Sequence, residues 1–210
     1  ENESAIYNLE GKNRKDFVDS INNGTYRMCS LMNCARLNNI SEDSEKNIFQ
    51  DQPIEMSTSL KTFLSYDRTC NLWCPSCRPS KETVIGNELD QLMDVTNKKV
   101  LEILKYAHSA MLNGYGDLFA SKVCRHIMRS CDDENFPNLK YDIITNAVLF
   151  TEDITNRFPS FMNKLRSVRV SMDASTEDTY SKVRLGGDWG KLNENMKFIS
   201  KLKKTKKIEK

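Results

Sequence analysis

Histidine is almost missing from this sequence. There are two, His108 and His126, and their separation matches no paired metal-ligand spacing, so both read as structural or surface residues. No apolar run is long enough to span a bilayer and no secretory leader is visible, so neither a membrane protein nor an exported one is expected. Neither sign of charge dominates. With 31 basic and 29 acidic residues the formal net charge is +2, which gives no nucleic-acid or membrane-surface signature. The basic run from Lys201 to Lys207 is short and reads as the solvated end of a helix leading into a strand.

What the chain does have is cysteine in an uneven distribution. Seven is an odd number for a disulfide framework, and three fall within Cys70-Asn71-Leu72-Trp73-Cys74-Pro75-Ser76-Cys77, spaced C-x3-C-x2-C. That pattern points to a reducing, cytoplasmic setting and to metal ligation. A structural zinc ion wants four protein ligands, so a zinc knuckle here would have to borrow Cys124 or His126. An iron–sulfur cluster held by three thiolates keeps one iron open to a further ligand. Cys124 and Cys131, on or near one helix, read as core residues.

The 210 residues, 39% hydrophobic and 29% charged, are enough for one sizeable core with a small appendage. Residues 1–57 read as an N-terminal cysteine-bearing segment with a short amphipathic helix around Phe17, Val18 and Ile21. A polar linker from Asn38 to Gln52 follows. From there strand and helix alternate through residues 58–210. Strands are expected at Leu60–Tyr66, Ala110–Gly114, Tyr141–Thr145 and Val168–Met172. Helices are expected around Val100–Ala107 with Thr96 as cap, at Lys122–Ser130, and at Thr151–Leu165 with a break at Pro159. A last helix should carry Trp189, Leu192, Met196, Ile199 and Leu202 on one face, capped by Asp188. Four βα units in succession predict an α/β fold with a parallel sheet, either a barrel or a doubly wound sheet. The unusual residues cluster after strand C-terminal ends, where α/β barrels place their sites.

The cysteine spacing and the segments behind it resemble the radical S-adenosylmethionine (SAM) superfamily, with the SPASM-type subgroup most similar. Asn113-Gly114-Tyr115-Gly116-Asp117 resembles the family's glycine-rich "GGE" motif, with Leu118 in place of the usual proline. Ile144-Thr145-Asn146-Ala147 resembles its "TNG" segment, with alanine where glycine is common. Val170-Ser171-Met172-Asp173-Ala174 is similar to its "SIDG/SIDA" strand end, and Thr176 through Gly187 to its "T.E.YEKIRGG" turn. The resemblance implies a partial (β/α) barrel, here apparently truncated at a fifth strand beginning at Lys206–Lys210. It implies a [4Fe–4S] cluster on Cys70, Cys74 and Cys77, and S-adenosyl-L-methionine held by Gly114, Gly116, Asp117, Ser171, Asp173 and Arg184. In this scheme Gly114, Gly116 and Asp117 receive the SAM amine, Arg184 its carboxylate, and Ser171 and Asp173 its ribose region. The aromatic that often precedes the third cysteine is Ser76 here. Arg78 is either a charge partner of the cluster or a solvated charge.

A small flavodoxin- or ferredoxin-like electron donor and a peptide or small-molecule substrate are implied with the cofactor. Cys29 and Cys34 resemble the cysteine-bearing segments of auxiliary-cluster domains, so a second iron–sulfur cluster is a further expectation, with free buried thiols as its alternative. Two other classes stay open: a non-catalytic iron–sulfur or zinc module, and a domain active only within a larger assembly.

Overall fold

The computed structural model describes residues 12–27, 60–112, 115–205 and 208. The chain divides into two compact units, 1–54 and 55–210. In the first, helix α1 (Lys12–Asn22) covers the expected amphipathic segment. Val18 and Ile21 are half-buried, Phe17 is exposed, and Ser20 donates to the Phe17 carbonyl at 2.8 Å.

The second unit alternates strand and helix. Its elements are β1 (Lys61–Leu64), α2 (Gly86–Val95), a π-helical turn (Thr96–Val100), α3 (Leu101–Leu104), β2 (Ser109–Leu112), α4 (Lys122–Ser130) and β3 (Lys140–Thr145). There follow α5 (Glu152–Asn156), α6 (Pro159–Lys164), β4 (Leu165–Val170), α7 (Glu177–Val183) and α8 (Trp189–Lys204). The four strands form one parallel sheet in the order β1-β2-β3-β4. A doubly wound sheet reverses its strand order at a switch point, whereas a barrel adds each strand to the same edge. The sequential order shows no such reversal and is compatible with barrel-like winding, and no closed barrel forms among the described residues. The chain is α/β, and no described helix is long and apolar enough to cross a membrane.

Register explains which residues make the core. Leu64, Leu112 and Ile143 stand side by side in successive strands, as do Ala110 and Tyr141 one step earlier. With Val168 they join Leu104, Val123, Ile127, Phe161 and Leu192 of the helices in a single apolar cluster. On the opposite face Phe63 is 70% exposed, and Asp142 accepts from Arg166 Nε at 3.1 Å and from the Ser167 hydroxyl. The sheet is thus covered by helices on one side, and its other side mixes apolar Phe63 and Met111 with the bonded Asp142.

Two expectations change. Thr96 does not cap a helix. The helix starts at Gly86, and Thr96 lies fully buried in the π turn, where its Oγ1 bonds Leu92 O at 2.6 Å and Tyr66 OH at 2.7 Å. Leu89, Leu92 and Met93 pack on the core, which draws the helix back over ten extra residues. Strand four runs from Leu165 to Val170, Ser171 still donates its N–H to Thr145 O at 2.9 Å, and the backbone turns left-handed at Asp173 with φ of 59°. The break at Pro159 is as expected, with proline opening α6, and Asp188 caps α8 by accepting Lys191 N–H at 2.9 Å. Most of the expected fifth strand lies outside the described residues; Ile208 is buried.

Candidate cofactor site

The cysteine loop leaves β1 through a braced entry. Asp67, itself buried, accepts Thr69 N–H at 2.8 Å and the Ser121 hydroxyl, while Thr69 Oγ1 accepts Val84 N–H at 2.9 Å. Ser121 in turn caps α4 by accepting Cys124 N–H at 2.8 Å. Within the loop Cys77 and Arg78 both donate their N–H groups to Cys74 O, at 2.9 and 3.0 Å, winding the second and third cysteines into a tight turn. Trp73 donates its N–H to Leu185 O at 3.1 Å and lays its ring on Gly186. A Cβ at Gly186 would meet that ring at 2.3 Å, and φ there is +80°. Trp73 therefore docks the loop onto the turn between α7 and α8.

The second braced segment follows β2. Gly116 lies so close to the cysteine loop that a Cβ would sit 1.9 Å from Thr69 O, and the next residue, Asp117, donates its N–H to that carbonyl at 2.9 Å. Glycine is needed here for contact between two loops. Asp117 is buried, and its carboxylate accepts Thr145 Oγ1 at 2.7 Å, Asn146 N–H at 2.9 Å and Phe119 N–H at 3.0 Å. Burial pushes its pKa up, against the pull of those donors. With three donors from its own chain, this carboxylate ties the β2 loop to the end of β3 and leaves little capacity for a ligand amine. Asn146 extends the tie, donating to Asn71 Oδ1 at 2.9 Å and reaching Cys70 Sγ at 3.9 Å.

These segments enclose a pocket of about 210 Å³ at the carboxyl ends of the strands. Cys70, Cys74 and Cys77 line it, with Gly116 and Asp117 from the β2 loop and Ser171 and Arg184 from the far side. Arg78, Tyr115, Thr145 and Asn146 complete much of the wall. Gly114, Cys29 and Cys34 lie outside the described residues. Asp173 is not part of the lining: its carboxylate pairs with Arg184 Nη2 at 2.5 Å. Nor does Asp173 cap the next helix, which Thr176 does by accepting Thr179 N–H. A larger groove, about 540 Å³ between α5, α6 and α8, contains no cysteine and lies on the helical side, so the smaller pocket is the chemical candidate.

Each of the three sulfurs faces a donor. Leu72 N–H lies 3.4 Å from Cys70 Sγ, Arg184 Nη1 3.5 Å from Cys74 Sγ, and Arg78 Nη2 3.6 Å from Cys77 Sγ. Burial chiefly pushes the Cys70 thiol pKa up. Among the described residues no three Cys, His, Asp or Glu side chains converge closely enough to form a metal-binding group as they stand. The donor set nevertheless suits an iron–sulfur cluster. Three thiols share one pocket, N–H groups point at all three sulfurs, and among the described residues the buried Arg184 Nε lacks a partner. It suits zinc poorly. Cys124 and His126 are not in the lining, and His126 Nε2 instead meets Asn97 Oδ1 at 2.6 Å.

Sequence reasoning missed Asp67, Ser121 and Tyr115. The Asp67-x-Thr69 pattern is a local turn signal that marks the first; nothing local marks its long-range partner Ser121. The sequence matches no protein-family model and no curated protein.

Proposed function

We propose that residues 55–210 form a radical SAM domain, in which Cys70, Cys74 and Cys77 hold a [4Fe–4S] cluster and the adjoining pocket takes S-adenosylmethionine. The observation that carries the reading is convergence: seven residues drawn from separate motifs of the resemblance, spread from Cys70 to Arg184, line one pocket. When bound, the cluster supplies one electron that cleaves the C5′–S bond of SAM, giving methionine and a 5′-deoxyadenosyl radical able to abstract hydrogen from a substrate.

The chain's own residues perform the remaining tasks. The three thiolates hold three irons, and the tight turn at Cys74 sets the spacing of the second and third. Arg184 already carries a carboxylate, that of Asp173, through Nη2 and meets Cys74 Sγ through Nη1, so its buried Nε, without a partner among the described residues, is the one donor it has left for an amino-acid carboxylate. Ser171 adds a hydroxyl at the pocket wall, while Ile144 and Leu72 exclude water. Asp117 is a brace, so the SAM amine falls to backbone carbonyls of the β2 loop. The partial barrel of this family, a peptide or small-metabolite substrate and a flavodoxin- or ferredoxin-like electron donor belong to the same proposal. A second reading, a domain that works inside a larger assembly, draws support from Phe63, exposed on an edge strand.

Anaerobic reconstitution with iron and sulfide, followed by EPR of the reduced protein, tests the proposal. The expected result is a [4Fe–4S]⁺ signal whose g-values shift when SAM is added. A chain that takes up zinc and no cluster refutes it.

A further inference from the structure

Arg78 follows the third cysteine directly and is 6% exposed, yet it is a permanent cation. Its Nη1 donates to Arg68 O at 2.6 Å, and its Nη2 donates to Tyr115 O and lies 3.6 Å from Cys77 Sγ. The guanidinium carbon sits 5.9 Å from the Tyr115 ring centroid. These partners come from the entry to the cysteine loop, from the β2 loop and from the third cysteine, and of them only the cysteine can become an anion, by losing its proton. Among the described residues no carboxylate forms an ion pair with Arg78. The pocket's other cation differs, since Arg184 is already balanced by Asp173 at 2.5 Å. Glu82 acts on Arg78 only through space and is itself paired with Arg68 at 3.2 Å, so the group that this buried charge directly faces is sulfur.

We infer that Arg78 is the counter-charge of the three-cysteine centre and the positioning residue that fixes the β2 loop against it. The inference rests on the radical SAM reading of the pocket. A cation held against a ligand sulfur stabilises the more negative, reduced state of the cluster and so raises its reduction potential. The rigid fork matters as much as the charge: two nitrogens meet two carbonyls and a sulfur at once, which a lysine ammonium cannot reproduce.

The test is an EPR-monitored redox titration, with dithionite as electron source, of the reconstituted full chain and of Arg78→Gln, Arg78→Lys and Arg157→Gln. Arg157, exposed and paired with Asp153, is the control for loss of a remote charge. In Arg78→Gln the reduced-to-oxidised ratio at a fixed potential should fall about tenfold, about 59 mV for one electron. Arg78→Lys should fall between that and the wild type, and Arg157→Gln should match the wild type. If Arg78→Gln holds no cluster, the lysine variant decides, and a potential equal to the wild type overturns the inference. A cluster-bearing Arg78→Gln with unchanged potential also overturns it while leaving the functional reading intact. A wild-type chain without a cluster overturns both.

Discussion

The second unit holds two groups of cysteines that share a chemistry and differ in where they stand relative to the sheet. Cys70, Cys74 and Cys77 lie on a loop at the strand ends, with N–H groups directed at each sulfur and a pocket beside them that Asp117, Asn146, Ser171 and Arg184 also line. Cys124 and Cys131 lie on α4 and at its end, buried among Ile127, Phe136 and Leu139 in the helix-covered core. Burial drives the Cys124 thiol up to about 12 and the Cys131 thiol up to about 11. A thiolate forms where charge is stabilised, and a thiol persists where it is not. Position relative to the sheet, and not the residue type, separates a pocket-lining thiol from a packing group.

The sharpest way to break the comparison is to exchange the groups' fates. Cys74→Ala should abolish cluster binding, measured as bound iron and sulfide after reconstitution. Cys124→Ala and Cys131→Ala should retain the wild-type iron content and cost about 1 kcal/mol of stability each for the volume they vacate. Iron lost from Cys124→Ala to the same degree as from Cys74→Ala would erase the distinction.

Gly116→Ala comes next. The new methyl group would overlap Thr69 O, so either the cysteine loop or the β2 loop must move and the Asp117-to-Thr69 bond must lengthen. A loss of about 1–3 kcal/mol is expected from urea unfolding, in the range of overpacked cores. Iron occupancy should fall with it, because the same displacement opens the pocket. Normal stability would mean that the two loops are not in contact.

How far this arrangement could be read from sequence depends on how local each signal is. The Asp188 cap, the Pro159 break and the four strands were legible because each rests on a few neighbouring residues. That the three cysteines share one pocket was legible because they lie within eight residues of one another. Thr96 was misread because a threonine before an apolar run is a good cap by local rules, while its burial against Tyr66 is decided by packing. Asp117 lines the pocket as expected, but its bonding was not legible. Its neighbours in sequence mark a turn, and the residues that occupy its carboxylate include Thr145 and Asn146 from the next strand. Ser171 and Asp173 alternate on one face in an extended chain, but a left-handed Asp173 sends the second carboxylate to Arg184.

A weaker probe of the buried group is pH. In the unfolded chain cysteine and tyrosine lose their protons near 9.0 and 10.0, whereas the folded state holds Cys131 to about 11 and Cys124 and Tyr66 to about 12. The folded state therefore binds more protons across that window, and stability falls as pH rises through it. Below about 9 the contribution is complete; it is gone once the folded groups ionise. Urea midpoints at about pH 8, 9.5 and 11 should decline in order, and Cys131→Ala should decline less steeply. A flat profile would mean that the core thiols are wetter than their burial indicates.

The smallest effect sits where the two regions meet. Ala147 follows Asn146 of the pocket wall, is fully buried, and holds φ at +62° in the place where the resembling family carries glycine. A left-handed alanine costs about 1–2 kcal/mol, and replacing it with glycine would remove that strain. The same change deletes one buried methyl group, worth about 0.8 kcal/mol, and loosens the unfolded chain. The two carbonyl bonds that Asn195 makes here, to Ala147 O at 2.7 Å and Val148 O at 3.0 Å, use the backbone and survive the substitution. Ala147→Gly should therefore leave stability within about 1 kcal/mol of the wild type, the relieved strain being offset by the lost methyl group and the looser unfolded chain, with iron content unchanged. A clear loss in urea unfolding would mean that the methyl group packs the core more than the backbone strains it, and would assign Ala147 to the core side of the comparison.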